Sequence, residues 1–196
     1  KLDNSIVDFA KKNKIKVFRG SEKDVMSRFI LAGKNLNADH VVRITGDNPL
    51  TDPTIMDSLI KCHLKNKNEY TYSSSVPVGT SSEIIKFDAL MRCYKYLIDP
   101  NSSEYMTWML NRPDVFKVED VLFSGSLLKF NNINFTVDEE NEYLNLKKIY
   151  NNYKGNLPSL TNIIDWVVKS PNLYVKMTKQ KKLKRIKNIN CKFKFD

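Results

Sequence analysis

No stretch of this sequence approaches the roughly eighteen consecutive apolar residues that a membrane helix needs; the apolar runs are as short as Trp166-Val167-Val168. No membrane span is expected. The three cysteines, Cys62, Cys93 and Cys191, are widely spaced, odd in number and without a C-x-x-C pair. They supply neither a disulfide framework nor a zinc site, which points to a reducing, cytoplasmic setting. The two histidines, His40 and His63, fall in unrelated segments, so no histidine-based metal centre is expected. G-x-x-x-x-G-K-[ST], G-x-G-x-x-G and G-x-S-x-G are all missing, which leaves P-loop, Rossmann-fingerprint and serine-hydrolase readings without support.

What is present is a chain of 196 residues with 41% hydrophobic residues, enough to build a real core. The net charge of +10 is concentrated: residues 176–196 hold nine basic residues and one acid, whereas 1–175 hold 23 and 21. This divides the chain into a nearly neutral body, 1–175, and a basic tail, 176–196. Lysines outnumber arginines 26 to 6. Base and phosphate recognition favours the planar arginine fork, so nucleic acid is not the expected partner.

Helical and β-branched segments alternate along the body. Helical spacing over 3–13 precedes a strand at Ile15-Lys16-Val17-Phe18. A helix over 22–36 follows, with Ser21 and Asp24 in a capping-box arrangement. The segment 40–44 reads as a strand, and Asp52-Pro53 reads as an N-cap and first turn opening a helix to about 66. Strands at 70–72 and 83–85, helices over 88–97 and 102–110, and extended pieces at 115–118 and 121–123 come next. An alternating strand at 133–137 and helices over 139–150 and 159–169 complete the body. Strands separated by helices of ten or more residues imply crossovers and a mostly parallel sheet covered on both faces. The expected class is α/β, a three-layer sandwich.

Ligands of open α/β sheets bind at the carboxyl ends of the strands. Three such places carry chemistry. In Ile44-Thr45-Gly46-Asp47-Asn48-Pro49-Leu50, Gly46 lets backbone approach a ligand. Asp47 there either holds a divalent cation or bonds local backbone in an Asx-turn. In Phe135-Thr136-Val137-Asp138, the carboxylate of Asp138 is either a helix N-cap or a second cation ligand. Phe18-Arg19-Gly20-Ser21 offers a cation, flexible backbone and a hydroxyl beside a helix start, suited to anions or base edges, or simply a capped helix.

Taken in order, Val17-Phe18-Arg19-Gly20-Ser21-Glu22-Lys23-Asp24-Val25, then Val42-Arg43-Ile44-Thr45-Gly46-Asp47-Asn48-Pro49-Leu50-Thr51-Asp52-Pro53, resemble a cytidylyltransferase-like family. Glu83-Ile84-Ile85, Ser103-Glu104-Tyr105-Met106-Thr107 and Phe135-Thr136-Val137-Asp138 continue the likeness. The family is that of spore-coat polysaccharide biosynthesis proteins, related to the acylneuraminate and 3-deoxy-manno-octulosonate cytidylyltransferases. The likeness covers nearly all of 1–175, and its most specific part is the I-T-G-D-x-P-L-x-D-P stretch. It implies a nucleotide-diphospho-sugar transferase-like fold and a CTP-dependent sugar nucleotidyltransferase of surface polysaccharide biosynthesis that uses Mg2+. On matching positions Asp47 and Asp138 are the catalytic metal carboxylates, and Arg19, Gly20, Ser21, Asp24 and Gly46 contact the nucleotide. Glu83 and Glu104 lie on the sugar side. Pairing as a homodimer is a further implication.

The chain departs from the family pattern in three respects. The strand and cationic loop that grip the triphosphate have no counterpart, so the first βα unit is expected to be absent and this chain inactive by itself. Ser81 replaces the usual aspartate before Glu83, and Tyr105 stands where histidine is common. Two other functions compete: a glycosyltransferase that consumes a nucleotide sugar, and a non-catalytic binding module with a basic tail.

Overall fold

A computed structural model describes residues 3–178, with backbone alone for Ser102 and Glu104. Its order is α1 (Asn4–Lys12), α2 (Val25–Asn35), β1 (His40–Arg43), α3 (Pro53–Asn66), β2 (Tyr70–Tyr72), β3 (Glu83–Lys86) and α4 (Phe87–Tyr96). A 3-10 turn (Pro100–Tyr105) leads to α5 (Met106–Leu110), β4 (Val118–Asp120), α6 (Ser126–Lys129), α7 (Glu140–Asn152), α8 (Leu160–Val168) and α9 (Pro171–Thr178). The sheet order is β1-β3-β2-β4. β3 runs antiparallel to both neighbours while β2 and β4 are parallel. Three strands therefore share one direction and β3 is the reversed one, so the mostly parallel sheet holds for strand direction but only one adjacent pairing is parallel.

Both faces of the sheet are covered. Side chains alternate along a strand, so consecutive residues of β3 enter different cores. Ile84 packs with Ile55 and Leu59 of α3, Ile149 of α7, Ile164 and Val167 of α8 and Met177 of α9. Ile85 joins Tyr70, Met26 and Ile30 of α2, Leu90 of α4 and Met106, Met109 and Leu110 of α5. These are the three layers expected of an α/β sandwich.

Local chemistry sets the helix starts. Asp52 caps α3, accepting from the backbone N–H of Thr54 and Ile55 at 2.8 and 3.0 Å, with Pro53 in the first turn. Ser159 caps α8. Ser21, expected to cap α2, instead accepts from the Asp24 N–H at 3.0 Å, and Asp24 is the cap, accepting from Ser27 N–H at 3.0 Å. The expected strand at 15–18 is irregular, with Ile15 57% exposed. Its β-branched composition is not enough, because no described strand offers it a ladder partner. The alternation over 133–137 is real, with Ile133 and Phe135 fully buried, but its partner is the loop residue Val78 in one isolated parallel bridge. Pro77 and Gly79, the latter at φ +83°, flank Val78 and prevent a longer ladder.

Two further expectations change. The helix over 102–110 is a 3-10 turn followed by the short α5. The body does not end at 175: α9 runs through Lys176 to Thr178, Met177 is buried in the core, and the Asn134 N–H donates to its carbonyl at 2.8 Å. The remainder of the predicted tail, 179–196, lies outside the described residues.

Candidate active site at the carboxyl edge of the sheet

The segments that leave β1, β2 and β4 and the one that enters β3 all meet one edge of the sheet. There the Val137 N–H donates to the Asp47 carbonyl at 2.9 Å and the Asp52 N–H to the Thr80 carbonyl at 2.9 Å. Gly79 packs so closely that an added Cβ would lie 2.8 Å from the Thr136 nitrogen. Asp47 and Asp138, far apart in sequence, are thus drawn together: the bond to Asp47 comes from the residue immediately before Asp138.

The bland alternatives for both carboxylates fail on geometry. An Asx-turn role for Asp47 needs its carboxylate on local backbone. Instead the turn is held by Asn48, whose Nδ2 donates to Thr45 Oγ1 at 2.8 Å and whose N–H donates to the Thr45 carbonyl at 3.1 Å. Asp47 Oδ1 is buried with no hydrogen-bond partner among the described residues, as is Asn48 Oδ1. Asp138 does not cap α7; Glu139 does, in a capping box with Glu142. The Glu142 carboxylate accepts from the N–H groups of Asp138 and Glu139 at 2.7 and 3.0 Å. Among the described residues, the exposed Asp138 carboxylate has one hydrogen bond, from Thr136 Oγ1 at 3.4 Å. An unpartnered buried carboxylate oxygen costs about 1–3 kcal/mol or more. The two unused acceptors, Asp47 Oδ1 and Asn48 Oδ1, are of the oxygen type that a hard cation takes. Among the described residues no cluster of three or more metal-ligating side chains exists, so further ligands would have to come from water and substrate.

Gly46 follows the same logic. It is exposed, its φ lies outside the left-handed region, and a Cβ there would meet nothing within 4 Å. The fold itself does not demand glycine at this position.

Glu83 lies on the same edge, opposite Arg43 in register, and forms an ion pair with it at 2.9 Å. Glu104 falls in the 3-10 turn, and its side chain is outside the described residues. The 19–24 segment stands apart in its bonding. Arg19 donates to Asn4 Oδ1 at 3.0 Å and is half-exposed beside α1. Gly20 has a packing reason, since a Cβ would meet Arg28 Cγ at 2.8 Å. Asp24 is fully engaged: besides capping α2 it accepts from Ser103 Oγ at 3.1 Å and from the Tyr94 phenol at 2.7 Å, which pushes the Tyr94 pKa up. None of these residues makes a hydrogen bond or ion pair to Asp47 or Asp138 in the structure.

Comparison with known proteins decides the family. Residues 3–186 match the profile of a family described as cytidylyltransferase. The chain belongs to the cytidylyltransferase family. It is 36% identical over 177 residues to an uncharacterized protein of Methanocaldococcus jannaschii, covering 88% of this chain and 71% of that protein. It is 28% identical over 141 residues to the spore coat polysaccharide biosynthesis protein SpsF of Bacillus subtilis, covering 71% of this chain and 58% of SpsF. A solved cytidylyltransferase from Leptospira borgpetersenii superposes with a TM-score of 0.79 at 26% identity, covering 91% of this chain and 75% of that one. The α/β architecture is therefore that of a cytidylyltransferase, and the nucleotidyltransferase reading prevails over the glycosyltransferase and binding-module alternatives.

Other polar groups of this cytidylyltransferase were not legible from spacing. Thr107 and Arg43 belong to the segments that carried the resemblance, but nothing in the sequence marks their contact with Glu83. The histidines, expected to be unrelated, are in contact: His40 Nδ1 lies 3.1 Å from His63 Nε2, and His63 Nδ1 lies 2.9 Å from Thr71 Oγ1. His63 is fully buried. Burial first, and then the His40 charge, lower its pKa from 6.5 to about 4. No helix among the described residues is long and apolar enough to cross a membrane.

Proposed function

We propose that this chain carries the catalytic carboxylates of a CTP-dependent nucleotidyltransferase that activates a sugar for surface polysaccharide synthesis in the cytoplasm, using Mg2+. The single observation that supports the reading is the backbone bond from Val137 N–H to the Asp47 carbonyl, which sets Asp47, with its partnerless buried Oδ1, beside the segment of Asp138, a residue that does not cap α7. Membership of the cytidylyltransferase family supports the nucleotide. The name of SpsF supports the pathway class.

In the proposed reaction a sugar hydroxyl oxygen forms a bond to the α-phosphorus of CTP while the bond from that phosphorus to the bridging oxygen of the β-phosphate breaks, releasing pyrophosphate and a nucleotide sugar, and the hydroxyl proton passes to solvent or the departing pyrophosphate. The site then acts mainly by positioning and charge neutralisation. Asp47 and Asp138 would hold the magnesium, which when bound supplies Lewis-acid neutralisation of phosphate oxygens. The open backbone at Gly46 lets the nucleotide approach the end of β1. Glu83 faces the acceptor.

The test is Asp47→Asn in the complete translated protein, assayed for pyrophosphate release from CTP with Mg2+ and a sugar panel. The expected loss is at least about a hundredfold, the scale for removing a charge-stabilising group from a preorganised site. Undiminished release would remove Asp47 from the role assigned to it.

A further inference from the structure

A cleft of about 610 Å3 opens between α7 and α9, a size within the range of small-molecule sites. None of Gly46, Asp47, Glu83 and Asp138 lines it. Two stripes of α7 have different fates. Leu146 and Ile149 enter the core, whereas Asn141, Asn145, Lys148 and Asn151, at helical spacing, line the cleft with Lys147 and, from α9, Lys176. Lys148 and Lys176 are shared with an adjoining cavity of about 280 Å3 that reaches Trp166.

Asn145 distinguishes this cleft from an ordinary solvated face. It is only 8% exposed, it lines both the cleft and a neighbouring pocket of about 20 Å3, and its amide has no hydrogen bond among the described residues. A buried amide without partners opposes folding, and asparagine is a poorer helix former than leucine. The small pocket has room for about one water, whereas the amide offers two donor hydrogens and an acceptor. An apolar residue would serve the fold better at this position; asparagine serves a ligand. The walls are cationic. Lys147, Lys148 and Lys176 are exposed and form no ion pair among the described residues. The two carboxylates in the lining are already engaged at the start of α7. Glu142 accepts from the N–H groups of Asp138 and Glu139 and from Asn134 Nδ2, and Glu139 belongs to the same capping box. Backbone N–H groups at a helix N-terminus offset their charge. The chain beyond α9, residues 179–196, holds eight basic residues and one acid, the wrong sign to fill a cleft lined by three unpaired lysines.

We propose that the cleft between α7 and α9 is a binding site for a phosphate-bearing small molecule, with the lysines neutralising the phosphate as point charges and Asn145 Nδ2 donating to a phosphate oxygen. A phosphate matches three cations better than a carboxylate does, because it brings up to two negative charges and more acceptor oxygens. It fills only part of the cleft, so the ligand is larger than phosphate itself, with the amides of Asn141 and Asn151 available to its remaining polar groups. The inference does not rest on the nucleotidyltransferase reading.

The experiment is a titration of the 15N-labelled full chain, followed by its amide resonances at constant ionic strength. The probes are inorganic phosphate, glucose 1-phosphate and CMP, with glucose and glucuronate as controls. At least one phosphorylated probe should shift amides of 141–151 and 172–177 saturably, and glucose should not. Asn145→Leu should weaken that binding about tenfold, the scale of one hydrogen bond to a charged group. The same variant should raise the thermal midpoint, because it removes the stranded amide; a merely structural Asn145 would give the reverse, a lowered midpoint with binding unchanged. If circular dichroism shows Asn145→Leu unfolded, the exposed pair Lys148→Gln and Lys176→Gln replaces it, with an expected loss of about tenfold or more. Shifts confined to 46–50 and 136–139 would put the probe at the strand-end carboxylates and overturn the proposal. So would the absence of saturation with every phosphorylated probe, equal binding of glucuronate, or binding unchanged in the variants.

Discussion

Acid should weaken this fold through one side chain, His63. It is fully buried on α3, bonded to His40 on one side and Thr71 on the other, with Glu119 and Lys86 as the nearby charges. Two imidazole nitrogens 3.1 Å apart share a single proton; a second would set two N–H groups against each other. The folded pKa of about 4 lies below the unfolded 6.5, so the unfolded state binds the proton more readily. The contribution is therefore complete above pH 6.5 and is lost as pH falls through the window down to 4. Applied to these two values, linkage gives a loss of about 2 kcal/mol between pH 7 and pH 5. With a urea slope of about 2 kcal/mol/M for a chain of this size, the midpoint should fall by about 1 M through this residue alone. Other groups titrate over the same range, so the measurement is the difference between wild type and His63→Gln, whose midpoint should depend less on pH by that amount. As a check that needs no variant, the His63 ring resonance in native protein should not titrate between pH 8 and pH 5. A His63 resonance titrating near 6.5, or equal pH dependence in wild type and variant, would refute the reasoning.

Asp24→Ala should cost about 2–4 kcal/mol in urea unfolding, because it removes the α2 cap and strands the Ser103 and Tyr94 hydroxyls. Weaker CTP binding by Asp24→Asn at unchanged stability would give this residue a nucleotide role beside the capping one. Gly79→Ala should cost about 2–4 kcal/mol, since φ is +83° and the new Cβ would press on the backbone of 135–136. Gly125→Ala, at φ +69° but in open space, should cost only about 1–2 kcal/mol, and equal losses at the two glycines would discount the contact.

Much of the architecture could be read from local rules. Asp52-Pro53 announced α3 because a capping carboxylate and a fixed proline φ act within one turn. The β-branched runs at β1, β2 and β3 located the sheet, since alternation reports which faces are buried. Ordered motifs exposed the family, and with it Asp47 and Asp138 as the pair to examine. Pairing was less legible. The segments 15–18 and 133–137 have strand composition, yet a strand is defined by a neighbour, and tertiary structure supplies only one bridge to the second and none among described residues to the first.

The chemistry of the carboxylates depended wholly on context. Whether Asp24 and Asp138 are caps or ligands cannot follow from residue type, because either role needs the same oxygen; the fold spends Asp24 on α2 and lets Glu139 relieve Asp138. The same holds for His40 with His63 and for Arg43, Glu83 and Thr107, which meet only because packing α3 and α5 on opposite faces of one sheet carries distant residues into contact. What the chain order determined by itself was the class of fold and the family. Tertiary packing decided which polar groups are satisfied and which are left without a hydrogen-bond partner, because hydrogen-bond satisfaction is a property of neighbours in space rather than in sequence.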